Sequence, residues 1–185
     1  MTPAEHMVNR MRSRKEIVET EKKAIQTGVE HVAAGKGSKS LCVFGEMVMC
    51  KITSYQTGGA YSLFEVETPP GSGVPPHVQH REDEAFYILE GEYEFLVENR
   101  TISAGAGSLV YVPKGNLHTH KSVGEESGRM LVSQTPGGLH ERFFKEVGER
   151  ATAEACPVSQ GAADIGKIAA IATEYGIEMP LTSDQ

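Results

Sequence analysis

No run of apolar residues in this chain approaches the roughly 18 that a membrane-spanning helix needs. Nor does an apolar block of signal-peptide type follow the charges near the N-terminus. A cytoplasmic location and no membrane partner are therefore expected. Basic residues are in deficit as well. With 18 Lys and Arg against 25 Asp and Glu the formal net charge is -7, so the basic surface required for nucleic-acid binding is missing and no DNA or RNA partner is expected. Cysteine is scarce and odd in number. Cys42, Cys50 and Cys156 show no CxxC spacing, which indicates neither a disulfide framework nor a zinc knuckle, and all three are expected to be free structural thiols. Internal repeats and low-complexity segments are also absent.

At 185 residues, 39% of them hydrophobic, the chain has material for one sizeable core and would be cramped as two domains. Three textures divide it. Residues 1–39 are mostly charged or small, with Ile17, Val18, Ala24, Ile25, Val29 and Val32 falling loosely on one helical face, so an N-terminal helical extension is expected there. The turn chemistry of Gly35 to Ser38 would end it.

Residues 40–136 change to short runs of Val, Ile, Phe and Tyr separated by Gly, Pro and Asn, a many-stranded antiparallel pattern. Candidate strands are Val43 to Tyr55, Tyr61 to Thr68, His77 to His80, Glu84 to Leu89, Tyr93 to Glu98, Ser108 to Val112, His118 to Val123 and Met130 to Gln134. Strands in this number without intervening helices predict a mainly β fold, a jelly roll or closed barrel that removes exposed edges. Residues 137–185 return to the helical period and form a C-terminal helical extension. Leu139, Phe143, Phe144 and Val147 make one stripe. Ile165, Ile168, Ala169, Ile171, Ala172 and Tyr175 make a second, with Asp164 as its N-cap and Gly176 as its stop. Both helices are expected to pack outside the barrel or on a partner subunit.

Residues able to do chemistry concentrate in GSGVPPHVQHREDEAFYILEG (Gly71 to Gly91) and GSLVYVPKGNLHTHKS (Gly107 to Ser122). Side chains alternate along a strand, so His77 and Gln79 share a face, and Glu84 can return to that face from the next strand. His118 can supply a fourth donor from another wall of a rigid scaffold. His80 is one residue out of phase with His77 and belongs to a solvated charged turn with Arg81, Glu82 and Asp83. His120 shares the phase of His118 and is either a lining residue or a contact to substrate. Pro69, Pro70, Pro75 and Pro76 stiffen the entry to the first stretch. Phe86 and Phe95 read as core, with Phe86 also in phase to line a pocket beside Glu84.

The two stretches resemble the paired motifs of the cupin superfamily. Gly71, His77, Glu84 and Gly91 stand at the spacing of the first motif, and Gly107, Pro113, Gly115 and His118 at that of the second. The short stretch between them is similar to that of small single-barrel bacterial cupins. Gln79 stands where the first motif has its second histidine, and Ser122 where the second motif has Asn. The resemblance implies a cupin double-stranded β-helix and one divalent transition metal (Fe, Mn, Ni or Zn) held by His77, Gln79, Glu84 and His118. An amide carbonyl is a weaker donor to such ions than imidazole nitrogen, whereas His77, Glu84 and His118 alone make the two-histidine, one-carboxylate set associated with non-haem Fe(II).

Among cupins of this size the chain is most similar to quercetinase-like dioxygenases. That implies an enzyme acting on a small organic substrate, with Glu84 alternating between ligand and proton acceptor, and a homodimer. The alternative from another class is a non-catalytic cupin that binds a small ligand in a degenerate metal site, a reading that Gln79 favours.

Overall fold

The structure, a computed structural model, describes residues 28–38, 40–151, 156 and 162–180. Its elements are β1 (Leu41–Val43), β2 (Glu46–Ile52), β3 (Ser62–Thr68), β4 (His77–Gln79), β5 (Asp83–Glu90), β6 (Glu92–Val97) and β7 (Arg100–Gly105). They are followed by β8 (Leu109–Val112), β9 (Leu117–Ser122), β10 (Gly128–Thr135), helix α1 (Leu139–Val147), β11 (Glu149–Arg150), helix α2 (Ala162–Glu174) and β12 (Ile177–Glu178). The strands form two antiparallel sheets of a jelly-roll barrel, in the orders β11-β1-β2-β3-β10-β5-β8 and β12-β4-β9-β6-β7. A mainly β fold with flanking helices is thus what the chain adopts.

Alternation makes the interior. In β3, Phe64 and Val66 turn inward while Glu65 and Glu67 face out. In β5, Glu84, Phe86 and Ile88 turn inward and Tyr87 faces out. With Tyr93, Phe95, Val110, Val112, Met130 and Val132 these side chains form one buried core. Each fully buried residue of this size contributes about 1.5–3 kcal/mol through apolar area removed from water.

Several expectations need correction. The long strand from Val43 to Tyr55 is a hairpin, β1 and β2, in which Val43 pairs with Glu46 across a two-residue loop. Phe44 and Gly45 take φ values of 53 and 83, the left-handed conformation that two-residue hairpin loops use. Strand β7, which the apolar pattern did not reveal, pairs along all of β6; its Arg100, Thr101 and Ser103 face water and only Ala104 is buried. The final Gly of the first motif is structural. Gly91 has φ 81, and a Cβ there would stand 2.7 Å from the Gly128 Cα, so both the backbone conformation and the close approach to β10 exclude a side chain.

The helix expected within residues 1–39 is absent from residues 28–38, which hold turns and bends, and Val29 is exposed; the rest of that expectation lies outside the described residues. Helix α2 starts at Ala162, so Asp164 lies inside its first turn instead of capping it, while Gly176 (φ 77) follows its end as expected. The segment after Pro136 also contributes to the sheets, since β11 pairs with β1 and β12 with β4. Ile168 and Ala172 of α2 pack with Ile177 and with Phe143 of α1 in a second apolar cluster beside the barrel.

Two cysteines are not free. Cys42 of β1 and Cys156 form a disulfide spanning 114 residues of sequence, leaving Cys50 as the free thiol, with its pKa pushed up to about 12 by burial. The odd count concealed this, because spacing along a chain does not reveal which strands the fold brings together. Unfolded without reductant, the protein should titrate one thiol, and three after reduction. Cys42→Ser should lower the unfolding free energy by about 2–4 kcal/mol in a urea titration. Three thiols without reductant would contradict the pairing.

Candidate functional site

The β4–β9 register sets His77 directly opposite His118, with Val78 opposite Leu117. Glu84 arrives from β5 in the other sheet, on the inward phase shared with Phe86 and Ile88. One ligand atom each from His77, Glu84 and His118 lies within 4.8 Å of the others. His118 Nε2 is 2.7 Å from Glu84 Oε2 and His77 Nε2 is 3.9 Å from the same oxygen, while the two imidazole rings lie 4.2 Å apart. Three of the expected ligands are therefore together in the barrel.

Backbone carbonyls orient both histidines. His77 Nδ1 is 3.0 Å from the Pro75 carbonyl oxygen, and His118 Nδ1 is 3.0 Å from that of Asn116. Each Nδ1–H donates outward, which directs Nε2 into the site; this is the arrangement that orients metal-ligating histidines. The stiff Pro75–Pro76 entry thus has a direct role, supplying the acceptor that sets the ring of His77. The Glu84 carboxylate is positioned similarly, since Gln134 Nε2 of β10 donates to Glu84 Oε1 at 2.9 Å.

Burial and pairing oppose one another here. Burial pushes the His77 imidazole below its ordinary value and keeps it neutral. Burial would push Glu84 up, but hydrogen bonds from His118 and His77 outweigh it and hold the carboxyl well below the usual range. For His118 burial works downward, and the hydrogen bond to Glu84 overcomes it and raises the pKa. The hydrogen bond between His118 and Glu84 thus shifts the two groups in opposite directions, favouring the ionised carboxylate and the protonated imidazole in a dry environment.

Gln79 is buried on the same strand as His77. Its Nε2 lies 3.3 Å from His140 Nε2, and its Oε1 has no hydrogen-bond partner among the described residues. His80 faces out and meets Glu178 at 2.9 Å, as its phase predicts. His120 is a buried lining residue, with Nε2 2.8 Å from Glu46 Oε1, an oxygen that also accepts from the Thr68 hydroxyl at 2.7 Å.

Sequence reasoning missed two members. Glu82 belongs to no solvated turn: it is 2% exposed, with Oε2 2.6 Å from His140 Nδ1 and Oε1 accepting from the Leu139 backbone N–H at 3.1 Å. His140, from the first turn of α1, reaches the barrel beside Phe143 and Phe144. These residues line a pocket together with His77, Glu84, Phe86, His120 and the apolar side chains of β2, β3 and β10. The available signal was a histidine beside the aromatic stripe of a helix that follows the last barrel strand.

Residues 64–133 match the family model described as Cupin domain. The matched stretch, from β3 into β10, is a cupin domain. Curated relatives include germin-like protein subfamily T member 2 of Arabidopsis thaliana, 36% identical over 84 residues, which are 41% of this chain and 38% of that protein. An uncharacterized protein of Methanocaldococcus jannaschii is 29% identical over 45% of this chain and 67% of its own. The match thus spans less than two-fifths of the germin-like protein. Solved structures with this fold include KdgF from Halomonas sp. (TM-score 0.54, 14% identity, 60% of this chain and 96% of that one). A predicted oxalate decarboxylase from Thermotoga maritima is comparable (TM-score 0.54, 19% identity, 58% of this chain and 99% of that one). At these identities the structural likeness shows the fold.

Among the described residues no helix of this chain is long and apolar enough to cross a membrane.

The paired state of Glu84 and His118 has a pH signature in the metal-free protein. The raised His118 pKa contributes stability fully present below the ordinary 6.5 and lost as pH rises through the folded value. The lowered Glu84 pKa contributes stability present above the ordinary 4.5 and lost as pH falls through the folded value. Between those limits Glu84→Gln should cost roughly 3 kcal/mol in urea unfolding, because it leaves His118 without its buried counter-charge. That cost should shrink on either side of the window, and a pH-independent difference would contradict the pairing.

Proposed function

We propose that this cupin is a divalent-metal oxidoreductase of the quercetinase-like dioxygenase kind, acting on a small organic molecule and dioxygen. The observation that carries the reading is the convergence of His77, Glu84 and His118 within 4.8 Å at a pocket lined by Phe64, Val66, Phe86, Met130 and Val132. The residues fit a metal. Two imidazoles with their Nδ1 atoms already engaged, together with one carboxylate, are the donors of Fe(II) sites that keep open positions, and the same set accepts Mn, Ni or Zn. The orphaned Oε1 of Gln79 offers a neutral oxygen as the fourth donor. Held by His77, Glu84, His118 and Gln79, such an ion would supply Lewis-acid polarisation of a substrate oxygen.

The remaining work falls to the protein. The apolar walls exclude water and hold the body of the substrate, while Glu84, the one carboxylate of the cluster, would take a proton from a substrate hydroxyl. One carboxylate against a divalent ion leaves a net positive charge in a dry pocket, which favours an anionic oxygen donor such as an enolate or phenolate. A dioxygenase step adds both oxygen atoms to the substrate and needs no external reductant.

Two copies pair in this reading. Tyr87, Leu109 and Tyr111 are exposed along β5 and β8, the last strand of the larger sheet, and offer an apolar strip for a second subunit. The Cys42–Cys156 disulfide bears on location, since such bonds persist in oxidising compartments and are rare in the cytoplasm; cell fractionation with thiol trapping tests the cytoplasmic expectation.

The second reading, a non-catalytic ligand-binding cupin, is favoured by Gln79 standing in place of a histidine. Elemental analysis separates the two. The enzyme reading expects about one metal per chain after supply of Fe, Mn, Ni or Zn, and for His77→Ala an affinity at least roughly 100-fold lower. Oxygen uptake with flavonols or β-diketones should then follow the metal content. A protein that takes up no metal under any supply, or gains it only as Gln79→His, ends the enzyme reading. Sedimentation at micromolar concentration as a monomer ends the dimer.

A further inference from the structure

Glu82, His140 and Gln79 form a chain of buried polar contacts that the ligand motifs do not account for. Glu82 lies between β4 and β5, His140 in the first turn of α1, and Gln79 at the end of β4. All three are nearly fully buried, at 2%, 4% and 2% exposure. A buried carboxylate accepts hydrogen bonds, so the 2.6 Å contact places the proton of His140 on Nδ1, facing Glu82 Oε2. The other Glu82 oxygen accepts the Leu139 backbone N–H at 3.1 Å, which ties the start of α1 to the same carboxylate and fixes the ring against rotation.

With Nδ1 as the donor, His140 Nε2 is left as an acceptor. It lies 3.3 Å from the Gln79 side-chain nitrogen, whose N–H donates to it. The opposite amide orientation would set a carbonyl oxygen against a bare ring nitrogen, two acceptors facing one another, so the contact decides which end of the amide is which. The oxygen is then the atom without a partner among the described residues. On a strand, Gln79 shares the face of His77, and His140 lines the same pocket as His77 and Glu84.

We propose that Glu82 and His140 are positioning residues that hold the Gln79 amide with its oxygen presented to the cation, making Gln79 an oriented oxygen ligand in place of the second histidine of the motif. The inference rests on the metal-binding reading above. It explains why a weak donor is tolerated at this position: an amide free to rotate presents nitrogen as readily as oxygen, whereas this one is oriented before the ion arrives. It also gives α1 a part in the site, because a helix that lines the pocket carries the residue that sets the ligand.

The test is isothermal titration of the metal-free full chain with Mn(II), beside the absorption spectrum of the Co(II)-loaded protein. His140→Leu should weaken Mn(II) binding about 10- to 100-fold, the range for loss of a ligand-orienting partner. Its Co(II) spectrum should shift from that of the wild type toward that of Gln79→Leu. Gln79→His added to His140→Leu should restore binding, since imidazole needs no such amide orientation. If His140→Leu fails to fold by circular dichroism, Glu82→Gln, which removes the anionic acceptor from Nδ1, serves in its place with the same expected direction. Unchanged affinity and spectrum in a folded His140 or Glu82 variant, with metal bound by the wild type, overturns the positioning role alone. Unchanged affinity in Gln79→Leu overturns Gln79 as a ligand. A wild type that binds neither ion removes the underlying reading and this inference with it.

Discussion

The register between β4 and β9 is the constraint on which the site depends, because a strand moves its side chains as a set. With His77 opposite His118, both imidazoles enter the barrel on one level and Gln79 takes the same face. A slip of one residue would turn Val78 inward and His77 outward, and the cluster with Glu84 and His118 would be lost. The fold pins this pairing on both sides: β12 adds to the free edge of β4, setting Ile177 opposite Gln79, and β6 holds β9 with Phe95 opposite His120. A strand of three residues could not hold that register by its own hydrogen bonds. The C-terminal segment, which joins the barrel through β12 and α2, thus contributes to the geometry of a site near the middle of the chain.

Much of this was legible in the sequence, for identifiable reasons. The strands that carry His77, Glu84 and His118 are bounded by Gly and Pro and alternate cleanly, so phase alone separated His77 from His80 and grouped His118 with His120. What stayed hidden depended on contacts between distant segments. Strand β7 exposes Arg100, Thr101 and Ser103 and so lacks an apolar period, being defined by its partner β6. Cys42 and Cys156 meet across a sequence separation of 114. Glu82 lies in a charged run that composition assigns to solvent, and only the arrival of His140 from α1 makes its burial possible.

Helix α1 shows how one segment serves packing and chemistry at once. Its aromatic face packs on the barrel and lines the pocket, with Phe144 edge-on to Phe64 at 5.2 Å, and Phe143 faces the cluster formed with α2. That packing sets where the first turn falls, and the first turn carries His140. Glu141, from the same turn, accepts a hydrogen bond from the Ser62 hydroxyl at 2.5 Å, and the Gly138 N–H donates to that hydroxyl oxygen at 3.0 Å. The helix start is therefore held to β3 by polar contacts, while Phe143, Phe144 and Val147 hold the rest by apolar ones and Glu146 accepts from the Tyr175 hydroxyl.

Three buried carboxylates in this barrel each meet an imidazole: Glu84 with His118 at 2.7 Å, Glu46 with His120 at 2.8 Å, and Glu82 with His140 at 2.6 Å. Buried charge demands such partners, so pairing by itself does not mark a metal site. What separates the three is what else surrounds each carboxylate. Glu46 receives a hydroxyl from Thr68 on the oxygen that meets His120, and Glu82 spends its second oxygen on the backbone of α1. At Glu84 alone does a second imidazole converge on the oxygen already shared with the first, while its other oxygen is steadied by an amide from β10. With His118 hydrogen-bonded to that oxygen, the second imidazole brings a further nitrogen to a point where one hydrogen bond has already been made. That convergence of donor atoms sets Glu84 apart from the other two carboxylate–imidazole pairs, each of which has its hydrogen bonds met by neighbours of another kind.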